Sequence, residues 1–244
     1  METGRQEKEG DEALLRAFAE AHPGIELSYG GDGEILNVWR RASLKGKPIC
    51  PVRNYGRCAR HADPFKSVDL DKVRGERVVV CELLPKGPGP SFKCDALSEV
   101  QVKAADVTSA LRMDVYVDGT KFCGNVIADG VICSSPFGAT GYFSSVARTL
   151  FTSGIGFAFV APTVGVSNLV LPFGHKVEVR PLRRAEAVVA ADKETRRAVI
   201  EPGDSLLFYA DPHRRAEFVG LEEFHCPECR RLRHGTTVVS QYFK

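Results

Sequence analysis

Hydrophobic positions follow a helical period in the first part of the chain and a period of two after about residue 75. The first part predicts four elements, which are a helix over Glu12–Ala21, a buried strand over Ile25–Tyr29, a helix over Glu34–Ala42 and a strand over Lys47–Val52. Alternation of helices and strands is typical of an α/β domain with a parallel sheet. We therefore expect an α/β domain over residues 1–74.

From Glu76 onward the pattern predicts short strands separated by glycine and proline turns. Early strands are predicted over Arg77–Leu83 and Ala96–Ala104. The later strands are predicted over Ile155–Ala161, Asn168–Leu171, Lys176–Arg180, Ala185–Ala190, Ala198–Glu201 and Ser205–Ala210. Many short strands at this spacing indicate a β-sandwich-like domain over residues 75–220. Residues 221–244 form a C-terminal tail that we expect to pack back on the first domain.

Composition narrows the class of protein. The chain has 244 residues and a formal net charge of +2, so charge gives no general argument for a nucleic-acid or membrane partner. It contains no apolar run as long as the roughly 18 residues of a membrane span, and its first residues are polar rather than signal-like. We expect a cytoplasmic protein, in which most of the eight cysteines are free buried thiols.

Two glycine-rich loops carry the candidate chemistry. The first, Gly30–Gly31–Asp32–Gly33, places a carboxylate at the end of a predicted strand, where open α/β sheets bind ligands. The second belongs to Asn125–Ser145, which predicts a hairpin with a turn at Asp129–Gly130, a loop of small residues, and a helix from Tyr142. Free backbone amides in such a loop suit a nucleotide. Taken alone, this segment fits a hairpin followed by a surface helix equally well.

Together, the two loops resemble those of NAD kinases. That family carries a GGDG loop and, in a second β-rich domain, a segment D-G-x-x-x-S-x-P-x-G-x-x-x-Y, matched here by Asp129 to Tyr142. The resemblance implies that the first domain is a truncated doubly wound sheet and that the active site lies in the interdomain cleft. It implies ligand contacts for Gly30, Gly31, Gly33, Asn54, Gly56, Glu99, Asp129, Thr140, Gly141, Tyr142 and Ser145.

The sequence departs from the family pattern at three places. Asn54 and Gly56 match the family's N-x-G loop, but Cys58–Ala59–Arg60 stand where Leu-Gly-Phe is usual. Ser98 replaces the asparagine of an Asn-Glu pair that binds the adenosine moiety of NAD, so NAD contact here is expected to be weaker or water-mediated. Phe137 replaces a small polar residue, and a ring there either stacks on a base or narrows the pocket.

The resemblance implies ATP-dependent phosphorylation of the adenosine-ribose 2′-hydroxyl of NAD, with Mg²⁺ accompanying ATP. Asp32 is the candidate base, and in a loose phosphoryl-transfer transition state positioning and charge neutralisation contribute most. By the same resemblance we expect a homo-oligomer, a dimer or tetramer. Two alternatives remain, a non-catalytic dinucleotide-binding relative and a lipid or sugar kinase that shares the GGDG loop.

The tail contains a second candidate site. Cys226 and Cys229 form a C-x-x-C motif with His234 five residues beyond, which are ligand types that Zn²⁺ prefers. The spacing is not that of a common zinc finger. The same residues fit a solvated basic tail with incidental thiols, or a small zinc module for contact with protein or nucleic acid.

Overall fold

The fold was determined as a computed structural model, which describes the backbone of residues 3–166 and 168–234. Contacts divide the chain into two compact units. Met1–Gly75 and Ala216–Lys244 form one, here called the α/β unit, and Glu76–Arg215 form the other, here called the β unit.

The α/β unit begins with helix α1, strand β1, helix α2 and strand β2, covering Thr3–Ala21, Glu26–Tyr29, Asp32–Lys45 and Ile49–Val52. Strands β1 and β2 are parallel, so α2 is the crossover of a β-α-β motif. The buried face of α2 includes Ile35, Val38 and Trp39. Because β1 and β2 end at the same edge, the residues that follow each strand are brought close together.

The elements of the β unit include eleven strands and a short helix. The strands are β3 Val73–Leu84, β4 Phe92–Ala96, β5 Glu99–Ala104, β6 Leu111–Val117, β7 Thr120–Ala128, β8 Gly130–Ser134, β9 Ile155–Val160, β10 Leu169–Leu171, β11 Lys176–Pro181, β12 Ala185–Ala191 and β13 Glu194–Ile200. Helix α3 covers Tyr142–Ala147. Strand β14, Ser205–Val219, continues from this unit into the α/β unit, where Phe218 pairs in parallel with Ile49 of β2.

The strands of the β unit form two sheets that share one hydrophobic core. One sheet runs β10-β9-β8-β5-β12-β13, and the other runs β14-β11-β6-β7, with β3 pairing with β14 and β4. The core contains side chains of both sheets, and the rings of Phe157 and Phe208 meet at 5.5 Å between centroids. This is the packing of a β-sandwich. The predicted class, an α/β part followed by a β-sandwich-like part, is confirmed.

The chain closes with two short helices, α4 Leu221–Phe224 and α5 Pro227–His234. Helix α4 packs against β2, and its first residue follows Gly220, whose φ of 70° turns the chain out of β14. Among the described helices, none combines the length and the apolar character needed to cross a membrane.

Several predicted boundaries are displaced. Helix α1 begins at Thr3 instead of Glu12, and α2 begins at Asp32 instead of Glu34, so two residues of the GGDG loop belong to the first helical turn. Helix α3 ends at Ala147 because Arg148 adopts a left-handed conformation with φ 54°. The helical spacing of polar and apolar residues continues to Leu150. Such spacing does not show that one residue, Arg148, has a left-handed backbone that ends the helix.

Candidate functional site

The GGDG loop joins the end of β1 to the start of α2. The amide of Gly30 donates a hydrogen bond to the carbonyl of Val52, at 2.8 Å, which ties this loop to the end of β2. At Gly30 φ is 158°, and a Cβ added there would lie 3.0 Å from the Cβ of Glu34. The backbone conformation favours glycine at this position, and a side chain there would require Glu34 to shift by a few tenths of an ångström. Gly31 is the N-cap of α2, and Gly33 lies in its first turn.

Asp32 extends from this loop into solvent and meets a basic residue that the sequence reasoning missed. The side chain of Asp32 is 64% exposed, and its Oδ1 lies 2.8 Å from Nη2 of Arg53. The Arg53 side chain is only 13% exposed, and its guanidinium carbon lies 3.5 Å from the ring centroid of Phe224 in α4. Stacking on this ring fixes the guanidinium plane, so Asp32 is held by a preorganised partner.

The loop after β2 contains the predicted N-x-G residues. Oδ1 of Asn54 is buried and has no hydrogen-bond partner within the described part of the chain. A buried acceptor without a donor is costly, so this atom is a candidate for contact with a ligand or an ordered water. Gly56 has φ 63°, the left-handed region that favours glycine. Next to it, Arg57 pairs at 2.8 Å with Asp11, which is 4% exposed.

In the β unit, the loop after β8 is fastened to the turn between β4 and β5. The hydroxyl of Ser135 donates to the carbonyl of Leu97 at 2.5 Å, and the amide of Ser135 donates to the carbonyl of Ser98 at 2.9 Å. The turn itself is fixed by Asp192, whose two carboxylate oxygens accept the amides of Leu97 and Ser98 at 2.8 Å each. Both sides of the candidate nucleotide site are therefore preorganised by buried hydrogen bonds.

Gly138 shows how closely these two segments approach. A Cβ added at Gly138 would lie 2.4 Å from the backbone oxygen of Ser98 and 2.7 Å from the hydroxyl of Ser134. No side chain fits in that space. The glycine in the matched motif is thus explained by packing against the turn that carries Ser98 and Glu99.

Glu99 is the most desolvated carboxylate of the candidate site. Burial raises the pKa of Glu99, and hydrogen bonds from Ser98 and Gln101 oppose that rise. The hydroxyl of Ser98 donates to Oε2 of Glu99 at 2.5 Å. Ser98, which departs from the family pattern, therefore orients the carboxylate of the next residue.

The remaining predicted contacts form an exposed surface beside this carboxylate. Four of them, Thr140, Gly141, Tyr142 and Ser145, are exposed at the start of α3. The helix is anchored from below by Phe143, which is fully buried against its neighbours in a small core that includes Ala139 and Phe151. A carboxylate oxygen of Glu99 lies 3.9 Å from the position of an added Cβ at Gly141, so the two positions adjoin.

Tyr142 has a cationic neighbour that the sequence reasoning also missed. Nζ of Lys103 lies 3.0 Å from the Tyr142 hydroxyl and 4.6 Å from its ring centroid. Lys103 in β5 is the strand partner of Gly130, which follows the exposed residue Asp129. The alternation of β5 could have shown that Lys103 and Glu99 share one face, four residues apart.

Cys226 and Cys229 lie together with two residues that the tail sequence did not indicate. The cluster contains Cys58, His61, Cys226 and Cys229, and the candidate ligand atoms all lie within 4.8 Å of one another. The predicted third ligand was His234. It ends α5, and its side chain lies outside the described part of the chain.

Known proteins resemble this chain in both sequence and fold. Residues 97–218, half of the chain, match the family described as the ATP-NAD kinase C-terminal domain. The chain is 29% identical over 197 residues to the NAD kinase of Moorella thermoacetica, covering 76% of this chain and 57% of that protein. It is 30% identical over 162 residues to the NAD kinase of Nitratidesulfovibrio vulgaris, covering 63% and 53% respectively. The chain thus spans little more than half the length of these relatives.

A solved structure extends the likeness to most of the chain. The crystal structure of yeast NADH kinase complexed with NADH superimposes with a TM-score of 0.69 at 17% identity, covering 87% of this chain and 67% of that one. The two proteins therefore have the same fold.

Proposed function

This chain belongs to the ATP-NAD kinase family, and on that premise we propose that it phosphorylates the adenosine-ribose 2′-hydroxyl of NAD with ATP to give NADP. One observation carries the proposal. The half-buried carboxylate of Glu99, oriented by the Ser98 hydroxyl, adjoins the loop that contains Gly138 and Gly141 and the exposed start of α3. A preorganised, partly desolvated acceptor beside an exposed helix start suits the hydroxyls of a nucleoside.

In this proposal the β unit binds the dinucleotide. Glu99 accepts hydrogen bonds from ribose or amide groups, and Tyr142 covers a flat ring while Lys103 compensates nearby negative charge. Asp129, Thr140 and Ser145 are exposed and supply further polar contacts. The chain's own hydrogen bonds hold this surface in place, so little entropy is lost when it binds.

The GGDG loop carries the chemical step. The Asp32 carboxylate accepts the proton of the 2′-hydroxyl as the ribose oxygen forms a bond to the γ-phosphorus, and the bond from that phosphorus to the β,γ-bridging oxygen breaks to release ADP. The amides of Gly31 and Gly33 approach the phosphates, and Arg53 adds positive charge beside them. Mg²⁺ enters with ATP as part of the substrate and neutralises phosphate charge.

A dinucleotide-binding protein without kinase activity is the second candidate. The ion pair between Asp32 and Arg53 favours it, because a carboxylate engaged by a guanidinium must release that partner before it accepts a proton. A lipid or sugar kinase is disfavoured by the family match over residues 97–218.

The test is NADP formation by the purified chain with NAD, ATP and Mg²⁺, followed through a dehydrogenase that accepts only NADP. Clear turnover is the expected result, and a parallel reaction with NADH defines which redox form is preferred. Absence of turnover, together with NAD binding by calorimetry, would replace the kinase with the non-catalytic candidate. Absence of both would reject each of them.

Further parts of the proposal rest on the family resemblance. They are ATP as the phosphoryl donor, a cytoplasmic location and a dimer or tetramer of identical chains. Light scattering on the purified protein tests the assembly, and replacing ATP with another nucleoside triphosphate or polyphosphate in the coupled assay tests the donor.

A further inference from the structure

The four side chains of the cysteine and histidine cluster come from two distant parts of the sequence. Cys58 and His61 bracket a single 3-10 turn, Ala59–His61, in the loop after β2. Cys226 and Cys229 bracket the start of α5. All four belong to the α/β unit, so the cluster joins two segments of one compact body.

The distances within the cluster suit a tetrahedral metal site. Nδ1 of His61 lies 3.2 Å from Sγ of Cys58 and 3.3 Å from Sγ of Cys229, and all four ligand atoms fall within 4.8 Å of one another. Bonds of about 2.0–2.3 Å from a central zinc ion to nitrogen and sulfur require ligand atoms roughly 3.4–3.8 Å apart in a tetrahedron. Small adjustments of the side chains would therefore complete the coordination.

His61 is buried without the hydrogen bonds that a buried histidine normally makes. His61 is 4% exposed. Among the described residues, its Nδ1 has hydrogen-bond contacts to the sulfur atoms of Cys58 and Cys229, and its buried Nε2 has no hydrogen-bond partner. Buried imidazoles normally make hydrogen bonds to oxygen or nitrogen. A metal ion bound by Nδ1 and the two sulfur atoms would explain why these three atoms converge in a buried site.

Two donors of the same unit approach sulfur atoms of the cluster, and cysteine binds metal as the thiolate. The amide of Cys58 donates to Sγ of Cys229 at 3.2 Å. Nη2 of Arg60 lies 3.8 Å from Sγ of Cys226 and brings a positive charge to it. Hydrogen bonds of this kind to coordinating sulfur are the usual outer contacts of a metal site.

We propose that Cys58, His61, Cys226 and Cys229 bind one structural Zn²⁺ ion that fastens the loop after β2 to helix α5. Four protein ligands leave no position open for a substrate, so the ion has no part in the chemistry. The proposal explains why Cys58–Ala59–Arg60 stand where the family has an apolar sequence. Zinc coordination replaces packing of apolar side chains as the means of holding this loop.

The proposed zinc site is connected to the GGDG loop through Phe224 and Arg53. The loop that contains Cys58 also carries Arg53, and α4, directly before Cys226, carries the Phe224 ring on which Arg53 stacks. Arg53 in turn holds Asp32. The zinc ion thus acts as a positioning group, and the inference stands whether or not the chain is a kinase.

The experiment measures metal content of the full chain, purified without chelators or metal-affinity steps, by mass spectrometry of elements. The expected result is about one zinc per chain. Replacement with Co²⁺ should give the visible absorption of a tetrahedral thiolate site. The variant Cys229→Ser should bind less than one tenth as much zinc, whereas Cys123→Ser, a half-buried cysteine of the β unit, should bind as much as the wild type.

A further variant separates loss of zinc from loss of folding. His61→Cys preserves four ligands and should retain the metal with a shifted Co²⁺ spectrum, which a purely structural histidine would not produce. Absence of zinc and no cobalt spectrum in folded wild-type protein would overturn the proposal. So would iron in place of zinc, or a Cys226–Cys229 disulfide detected by thiol titration and intact mass.

Discussion

The two candidate ligand loops of this protein are held in place by different physical means. In the β unit, the loop from Ser134 to Gly141 is fixed by backbone and serine hydrogen bonds and by close packing at Gly138. In the α/β unit, the loop from Arg53 to His61 is fixed by an ion pair, a cation–π contact and a cluster of sulfur and imidazole groups.

The difference follows from the pairing of the strand before each loop. Strand β8 is buried along its whole length and pairs over five residues with each of its two neighbours, so the loop that follows it begins from a firmly held strand. Strand β2 is also buried, but it pairs over four residues with β1, and its described pairing with β14 joins Ile49 and Phe218. Charged side chains and the cluster of cysteines and histidine add contacts that hold the loop after β2.

The largest expected effect comes from the acid of the α/β loop. Asp32→Asn should lower kcat for NADP formation by about 10²–10⁴-fold, because the amide cannot accept the hydroxyl proton. Glu34→Gln, a change in the same helical turn, is the matched control and should retain most activity. Turnover of Asp32→Asn at the rate of the control would show that Asp32 is not the base.

The next largest effect tests packing in the β loop. Gly138→Ala should destabilise the protein by about 1–3 kcal/mol, since the new Cβ meets a backbone oxygen of Ser98 that cannot move freely. Gly165→Ala has no atom within 4 Å of the added Cβ and serves as the control. Equal unfolding midpoints of these two variants in urea would contradict the packing described for Gly138.

A smaller effect tests the stacked guanidinium. Arg53→Lys keeps the positive charge but loses planar stacking on Phe224, and should destabilise the α/β unit by about 1 kcal/mol. The exposed Arg41→Lys change on α2 is the control and should leave the unfolding midpoint in place. If both variants unfold at the same denaturant concentration, stacking contributes nothing to this loop.

The smallest effect depends on pH. Burial raises the pKa of Glu99 above its ordinary value of 4.5, so the folded state binds this proton more tightly than the unfolded state. Stability from that proton is fully present below the unfolded pKa and is lost as pH rises through the folded pKa. Glu99→Gln should therefore raise Tm relative to wild type more at about pH 7 than at about pH 4. Calorimetric scans measure this, and the exposed Glu186→Gln should show no such dependence on pH.

Local patterns predicted much of this fold and only part of the candidate site. Strand β8 was predicted from an apolar run, and the strand before the GGDG loop from alternating apolar and polar residues that end at glycine. Both signals are carried by neighbours in the sequence. The partners Arg53–Asp32 and Lys103–Tyr142 lie 21 and 39 residues apart, and only the tertiary fold brings them together.

The cluster of cysteines and histidine also could not be predicted from local sequence patterns. Cys226 and Cys229 could be recognised from their C-x-x-C spacing, but Cys58 and His61 precede them by more than 160 residues. A departure from the family pattern at Cys58 was the only local signal. It indicated that this loop differs, while the reason for the difference required the folded chain.

In the proposed mechanism, dinucleotide binding belongs to the β-unit loop and phosphoryl transfer to the GGDG loop. The most direct test is calorimetric titration of NAD into Asp32→Asn and Glu99→Gln under identical conditions. We expect wild-type affinity for Asp32→Asn and affinity about tenfold weaker or more for Glu99→Gln, because a charged hydrogen-bond acceptor is lost. Full affinity in Glu99→Gln, with binding abolished in Asp32→Asn, would contradict the division of roles.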